Sequence, residues 1–281
     1  MSLYGAVEAG GTKFVVAVGE KAEEPREIER IETSNQPAET MAEVIRYFER
    51  RGPLAALGVA TFGPVDFASG RITTTPKLPW QNFPLKASLE QALHVKVGFD
   101  TDVNGAALAE ARCGAGRGLE DLVYFTIGTG IGGGALCGGR LVHGLMHSEM
   151  GHLLVRRAPE EVDGFQGVCP YHGDCLEGMA SGPSMQERWG VPADQLPPEH
   201  AAWRVEADYL AQACVNVACV LSPQAVVLGG GVMGQAHLVE RVRRRAKELC
   251  NGYLPLPRIE TPGLKYPGLS GALLLAMEAV G

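Results

Sequence analysis

Cys169, His172 and Cys175 stand two residues apart from one another and place two thiols and an imidazole in one short stretch. Such donors suit a tetrahedral Zn²⁺, and Pro170 and Gly173 can fold the segment back so that the three converge. A fourth ligand has to come from elsewhere, and His143, His147 and His152 all lie upstream. Four protein ligands leave no position open for substrate, so a centre of this kind is structural. The alternative is two free thiols beside a surface histidine.

A second chemical signal is the run Asp100-Thr101-Asp102-Val103-Asn104. It joins an apolar strand pattern to an alanine-rich helix pattern, which puts Asp102 at or near the helix N-cap. There a carboxylate serves equally as a cap or as an ionised general base for a hydroxyl. The spacing does not decide between these roles.

Three glycine clusters form the third signal: Gly10-Gly11-Thr12, Gly128-Thr129-Gly130 and Gly229-Gly230-Gly231. A triphosphate packed on backbone needs N–H groups aimed at it and no Cβ in the way, and threonine hydroxyls add donors. Neither of the first two is a Walker loop or a dinucleotide fingerprint, because each leads into a strand rather than a helix. A single such turn is most simply a tight hairpin. The third follows an apolar strand, at the strand end where open α/β sheets bind ligands.

The elements that must hold these residues alternate along the chain, as in an α/β protein. Strand patterns cover residues 4–8, 13–18, 27–32, 56–61, 95–100, 122–127, 133–137 and 225–228. Helix patterns cover 38–51, 86–93, 103–112, 204–221, 237–250 and 270–279. The turn at Glu8–Lys13 is echoed at Thr126–Gly133, which predicts a duplicated domain with a hinge near 114–121. Residues 158–174 read as an irregular insertion and 192–199 as a surface loop. The expected division is an N-terminal domain over 1–117, with a C-terminal helix over 268–281 packed on it, and a second domain over 118–267 carrying the zinc insertion.

With 281 residues, 46% of them hydrophobic and 20% charged, the chain has room for two ordinary cores. A net charge of −7 argues against a broad nucleic-acid surface, yet leaves open a nucleotide held by backbone and Mg²⁺. The first residues show neither a basic nor an apolar leader pattern, and no apolar run is long enough to span a membrane. A cytoplasmic protein without disulfides is expected, with Cys113, Cys214, Cys219 and Cys250 as small core residues. Lys13 reads as an exposed strand lysine or a phosphate contact, and Trp80 as a wall of the ligand site or a residue packed within its own domain.

The chain resembles the ROK-family sugar kinases and, among them, the bacterial fructokinases. The resemblance runs from Glu8 to Gly268-Leu269-Ser270-Gly271-Ala272. Its specific pieces are Glu8–Lys13, Phe62-Gly63-Pro64-Val65-Asp66, Asp102–Ala107, the Gly128–Gly134 turn, Glu149-Met150-Gly151-His152 and Cys169–Glu177. It implies an α/β, two-domain actin-like, ribonuclease-H-type (hexokinase-like) fold with the active site in a cleft between the domains. Asp102 falls on the family's catalytic base, and Gly63, Pro64, Thr101, Glu149, His152 and Glu177 on the sugar site. Gly10, Gly11, Thr12, Lys13, Gly128, Thr129, Gly130, Pro183, Gly229, Gly230, Gly231 and Val232 fall on the ATP site. His152 becomes the preferred fourth zinc ligand, because the resemblance places it beside the Cys169–Cys175 loop; zinc would then hold Glu177 toward the sugar.

Three positions depart from the family pattern. Glu8 stands where many members carry Asp beside Mg²⁺, Thr101 where glucose and mannosamine kinases carry Asn, and Cys169…His172…Cys175 replaces a longer cysteine run. The last two favour the fructokinase branch. The implied protein phosphorylates a hexose, fructose to fructose 6-phosphate, with ATP, Mg²⁺ and structural Zn²⁺, as a homodimer. The competing readings are a glucokinase or mannokinase, a sugar sensor without turnover, and a DNA-binding repressor, for which no N-terminal helix-turn-helix pattern is seen.

Overall fold

A computed structural model describes residues 2–75 and 77–281. In chain order the strands are β1 (Tyr4–Ala9), β2 (Lys13–Gly19), β3 (Arg26–Glu32), β4 (Ala56–Thr61), β5 (Val65–Asp66), β6 (Arg71–Ile72) and β7 (Val97–Thr101), followed by β8 (Leu122–Ile127), β9 (Ile131–Cys137), β10 (Arg140–Leu141), β11 (Ala225–Gly229) and β12 (Arg258–Glu260). The helices are α1 (Pro37–Glu49), α2 (Leu85–Leu93), α3 (Asp102–Cys113), α4 (Leu176–Ala180), α5 (Gly182–Trp189), α6 (Ala202–Leu221), α7 (Leu238–Cys250) and α8 (Pro267–Glu278). The chain divides into two compact units. The first comprises Met1–Arg117, Leu141–His147 and Gly263–Gly281, and the second Gly118–Arg140 and Ser148–Pro262.

Each unit is built on a five-stranded mixed sheet, with orders β3-β2-β1-β4-β7 and β10-β9-β8-β11-β12. In both, the first strand pairs antiparallel with the second and parallel with the strand that returns after a helix. The duplication foreseen from the two glycine turns is therefore a repeat of the whole strand plan. Strands β4 and β11 are buried along their length, and both read as unbroken small or apolar runs, as strands covered on both faces do.

In the first unit α8 packs on β1 and β4 and against α3. The approach is close because side chains are missing where backbones meet. A Cβ on Gly58 would lie 1.7 Å from the Ala272 carbonyl oxygen, and one on Gly271 would lie 2.0 Å from the Gly105 oxygen. The alanine run of α3, which also marks that helix in the sequence, fills the same narrow layer. On the other face Phe14, Tyr47, Phe48, Leu57, Ile72 and Trp80 form an apolar core.

Trp80 is fully buried there and donates its indole N–H to the Ser34 carbonyl at 2.9 Å, so it packs within its own unit and does not wall a ligand site. Cys219, expected in the core, is exposed, while Cys214 and Cys250 are buried and Cys113 is half-buried. Helices α4 and α5 and the short strands β5, β6, β10 and β12 carry too few residues for a periodic signal and were not foreseen.

Candidate active site and metal centre

In the first unit β7 delivers the Asp100–Asn104 run to the start of α3. Thr101, extended at φ −71° and ψ 156°, is the N-cap, and its hydroxyl accepts the Asn104 N–H at 3.2 Å. The Thr101 side chain is buried and its hydroxyl caps α3. Asp102 is the first helical residue rather than the cap. It is half-buried, its Oδ1 accepts the Val103 N–H at 2.9 Å, and it stands at a helix N-terminus, which attracts negative charge.

Gly63 and Pro64 follow β4, the strand beside β7, and are joined by a cis peptide bond. A Cβ on Gly63 would meet the His147 ring at 3.0 Å, so only glycine lets that ring lie over the turn. The Gly10–Lys13 turn closes through the Gly10 N–H and the Lys13 oxygen at 2.9 Å. Lys77 Nζ donates to the Gly11 oxygen at 3.0 Å and Thr33 Oγ1 to the Gly10 oxygen at 2.7 Å, contacts that no sequence spacing announces. Lys13 opens β2 as an exposed residue. Burial raises the Glu8 carboxyl above its ordinary value, and Lys13 partly offsets this.

The second unit brings together the three segments that the sequence resemblance assigns to the nucleotide. The Gly182 N–H donates to the Gly128 oxygen at 2.8 Å, and a Cβ on Gly182 would touch Val232 at 3.9 Å. Gly230, at φ +92°, lies so near β8 that a Cβ would sit 2.3 Å from the Ile127 oxygen. Gly128–Gly130, the Gly182-Pro183 start of α5 and Gly229–Val232 therefore form one backbone cradle. Thr129 sits in the turn itself.

Glu177 is also part of this cradle. Its Oε2 accepts the Ile131 N–H at 2.9 Å and would be 2.6 Å from a Cβ on Gly130. The structure places this oxygen at the glycine turn. Glu149 is exposed and precedes a short 3₁₀ turn, Met150–His152, that carries His152 inward.

His152, Cys169, His172 and Cys175 converge, with one ligand atom from each lying within 4.8 Å of the others. His152 Nδ1 is 3.4 Å from Cys175 Sγ and 3.7 Å from Cys169 Sγ, and His172 Nδ1 is 3.7 Å from Cys169 Sγ. Ligands about 2.0–2.3 Å from a tetrahedral Zn²⁺ are about 3.3–3.8 Å from one another, so this donor set fits that ion. Burial pushes the Cys175 thiol up to about 11. The rivals are engaged elsewhere: His143 with Asp100 and His147 with the Val65 N–H. Residues 158–174 contain no regular helix or strand and are held by turns and by side-chain contacts such as Glu161 with Tyr209 and Arg188, with the Cys169–Gly173 bridge at the cluster itself.

The profile of the ROK family matches residues 4–279. A fructokinase of Zymomonas mobilis is 40% identical over 99% of this chain and 97% of its own length. One of Lactococcus lactis is 40% identical over 90% of this chain and 87% of its own. Among solved structures, the ROK hexokinase of Thermus thermophilus superposes with a TM-score of 0.82 at 28% identity, covering 99% of both chains. The α/β, two-domain hexokinase-like fold implied by the sequence resemblance is thereby established, and the chain belongs to the ROK family.

Proposed function

We propose that the protein is an ATP-dependent hexose kinase that converts D-fructose to D-fructose 6-phosphate. The observation that carries the kinase reading is the convergence of Gly128–Gly130, Gly182-Pro183 and Gly229–Val232 into a single cradle of backbone groups. Backbone with few side chains in the way is what a nucleotide's phosphates pack against, and glycine at 182 and 230 is what lets these segments approach one another. The choice of fructose is supported by relatives named fructokinase that align over nearly the whole chain.

In this reading ATP enters as its Mg²⁺ complex and is held by the cradle. Asp102 accepts the proton of the attacking sugar hydroxyl as the new O–P bond forms and the bond from the γ-phosphorus to the ADP oxygen breaks. Thr101 fixes Asp102 through the cap, Gly63 and Pro64 shape the sugar pocket, and Glu149 contributes a sugar contact. Zn²⁺, when bound by His152, Cys169, His172 and Cys175, supplies a crosslink and no chemistry. A homodimer in the cytoplasm is part of the same proposal, drawn from the family resemblance. No described helix is long and apolar enough to cross a membrane.

The test is an ADP-release assay with Mg²⁺-ATP and fructose, glucose, mannose or N-acetylated hexosamines. Strong turnover with fructose alone is the expected result. Turnover with another hexose alone discards the specificity and keeps the kinase, and silence with all of them discards both.

A further inference from the structure

We infer that His143 contacts the sugar, its Nδ1 accepting a hydrogen bond from a substrate hydroxyl beside Asp102; this rests on the kinase reading above. His143 and His147 are the two feet of a tight hairpin in the first unit, paired as an antiparallel bridge and closed by the Gly144 N–H on the Met146 oxygen at 3.0 Å. The hairpin lies on the two segments that flank Asp102. One foot is an anchor: His147 is 6% exposed, covers Gly63, and its Nε2 accepts the Val65 N–H at 3.2 Å. Phe67 packs against both rings, 4.4 Å from the centre of His143 and 6.1 Å from that of His147.

The other foot is held differently. His143 Nε2 is 2.8 Å from Asp100 Oδ2, and the Asp100 side chain is only 4% exposed while that of His143 is 38% exposed. Asp100 Oδ1 already receives the Thr101 N–H and the Asn104 amide, both at 2.7 Å, so Oδ2 receives the proton carried by Nε2. Asn104 Nδ2 also approaches Nε2, at 3.3 Å. In the neutral ring the tautomer is then fixed, and Nδ1 is left as a lone-pair acceptor. Every described polar contact of His143 is made by Nε2.

Burying a carboxylate is costly, and a hairpin that His147 already anchors gains little stability from orienting an exposed ring. A buried carboxylate behind an imidazole does fix which nitrogen accepts and where it points, as it does behind metal-bound histidines. Held on Asp100, two residues before Asp102, His143 offers an acceptor of fixed direction that selects for a hydroxyl on the bound hexose. Neither spacing nor residue type reveals it, because the ring reaches Asp100 from a segment far along the chain.

The two amide substitutions separate this role from simple anchoring. His143→Gln keeps an N–H near the Nε2 position for Asp100 and loses the Nδ1 acceptor; His143→Asn keeps an acceptor near Nδ1 and loses the Asp100 bond. We expect H143Q to raise the KM for the sugar about three- to tenfold, the worth of one neutral hydrogen bond, with the KM for ATP and the Tm unchanged. H143N should lower the Tm and raise the sugar KM less than H143Q does. The reverse order, with H143Q like wild type and H143N impaired, overturns the contact and leaves His143 a structural anchor. A wild type that phosphorylates no hexose overturns instead the kinase reading on which the contact depends.

Discussion

The Glu177 carboxylate accepts the backbone N–H of Ile131 at 2.9 Å, from the first turn of the helix that begins immediately after Cys175. A single turn of α4 therefore joins the His–Cys cluster to the Gly128–Gly130 turn. The bond is charge-assisted and restrains a segment whose glycines would otherwise leave it free to rearrange.

Removing that acceptor should loosen the turn without touching the base. Glu177→Ala is expected to raise the KM for ATP about tenfold or more, since a hydrogen bond to a charged group contributes about 1.5–3 kcal/mol. Steady-state kinetics with each substrate varied in turn check this; a selective rise in the sugar KM would return Glu177 to the sugar site.

The His152, Cys169, His172 and Cys175 cluster makes a prediction that needs no activity assay. Purified protein should contain about one equivalent of zinc, and Cys175→Ser should lose it. Because binding free energy at a structural site adds to folding free energy, the loss should cost several kcal/mol and lower the Tm on the order of 10 °C. Elemental analysis with thermal melts, before and after chelation, decides the point.

A third prediction concerns pH. Glu206 on α6 is fully buried, and neither carboxylate oxygen has a hydrogen-bond partner among the described residues. Burial pushes its carboxyl well above the ordinary value of 4.5, Arg188 pulls it back, and Glu161 pushes it further up. A raised folded-state value means the folded form holds the proton more tightly than the unfolded form. The stability it contributes is complete below pH 4.5 and is lost as pH rises from there through the folded value. Glu206→Gln keeps the shape and cannot ionise. It should raise the Tm at pH 8 by a few degrees, with the gain shrinking toward pH 5; a gain independent of pH would show that Glu206 does not titrate in the fold.

Much of this arrangement was legible in the sequence because its signals are local. Glycine pairs at strand ends, the Asp102 helix start and the Cys-x-x-His-x-x-Cys spacing each lie within a few residues, and the strand plan follows from apolar runs. Contacts set by tertiary approach were not legible. Thr101 was assigned to the sugar site by its place in the family pattern, and only the cap geometry shows its hydroxyl accepting the Asn104 N–H. Trp80 could be assigned to a wall or a core with equal ease until the Ser34 carbonyl was found at its indole. The direction of Glu177 depends on how a five-residue helix is oriented, which no periodicity encodes.

Asp102 carries the most direct test of the proposed chemistry. As the first residue of α3 it is half-buried and held at its own turn by the Val103 N–H, and Thr101 supplies the cap. Substituting asparagine preserves the volume and an oxygen for that N–H while removing the base. Asp102→Asn should therefore fold normally, with Tm close to wild type, and bind ATP with unchanged affinity. Its turnover should fall about 10²–10⁴-fold, the usual contribution of a positioned general base. A loss of turnover accompanied by a large fall in Tm would assign Asp102 to the helix start alone, and near-wild-type turnover would remove it from the reaction.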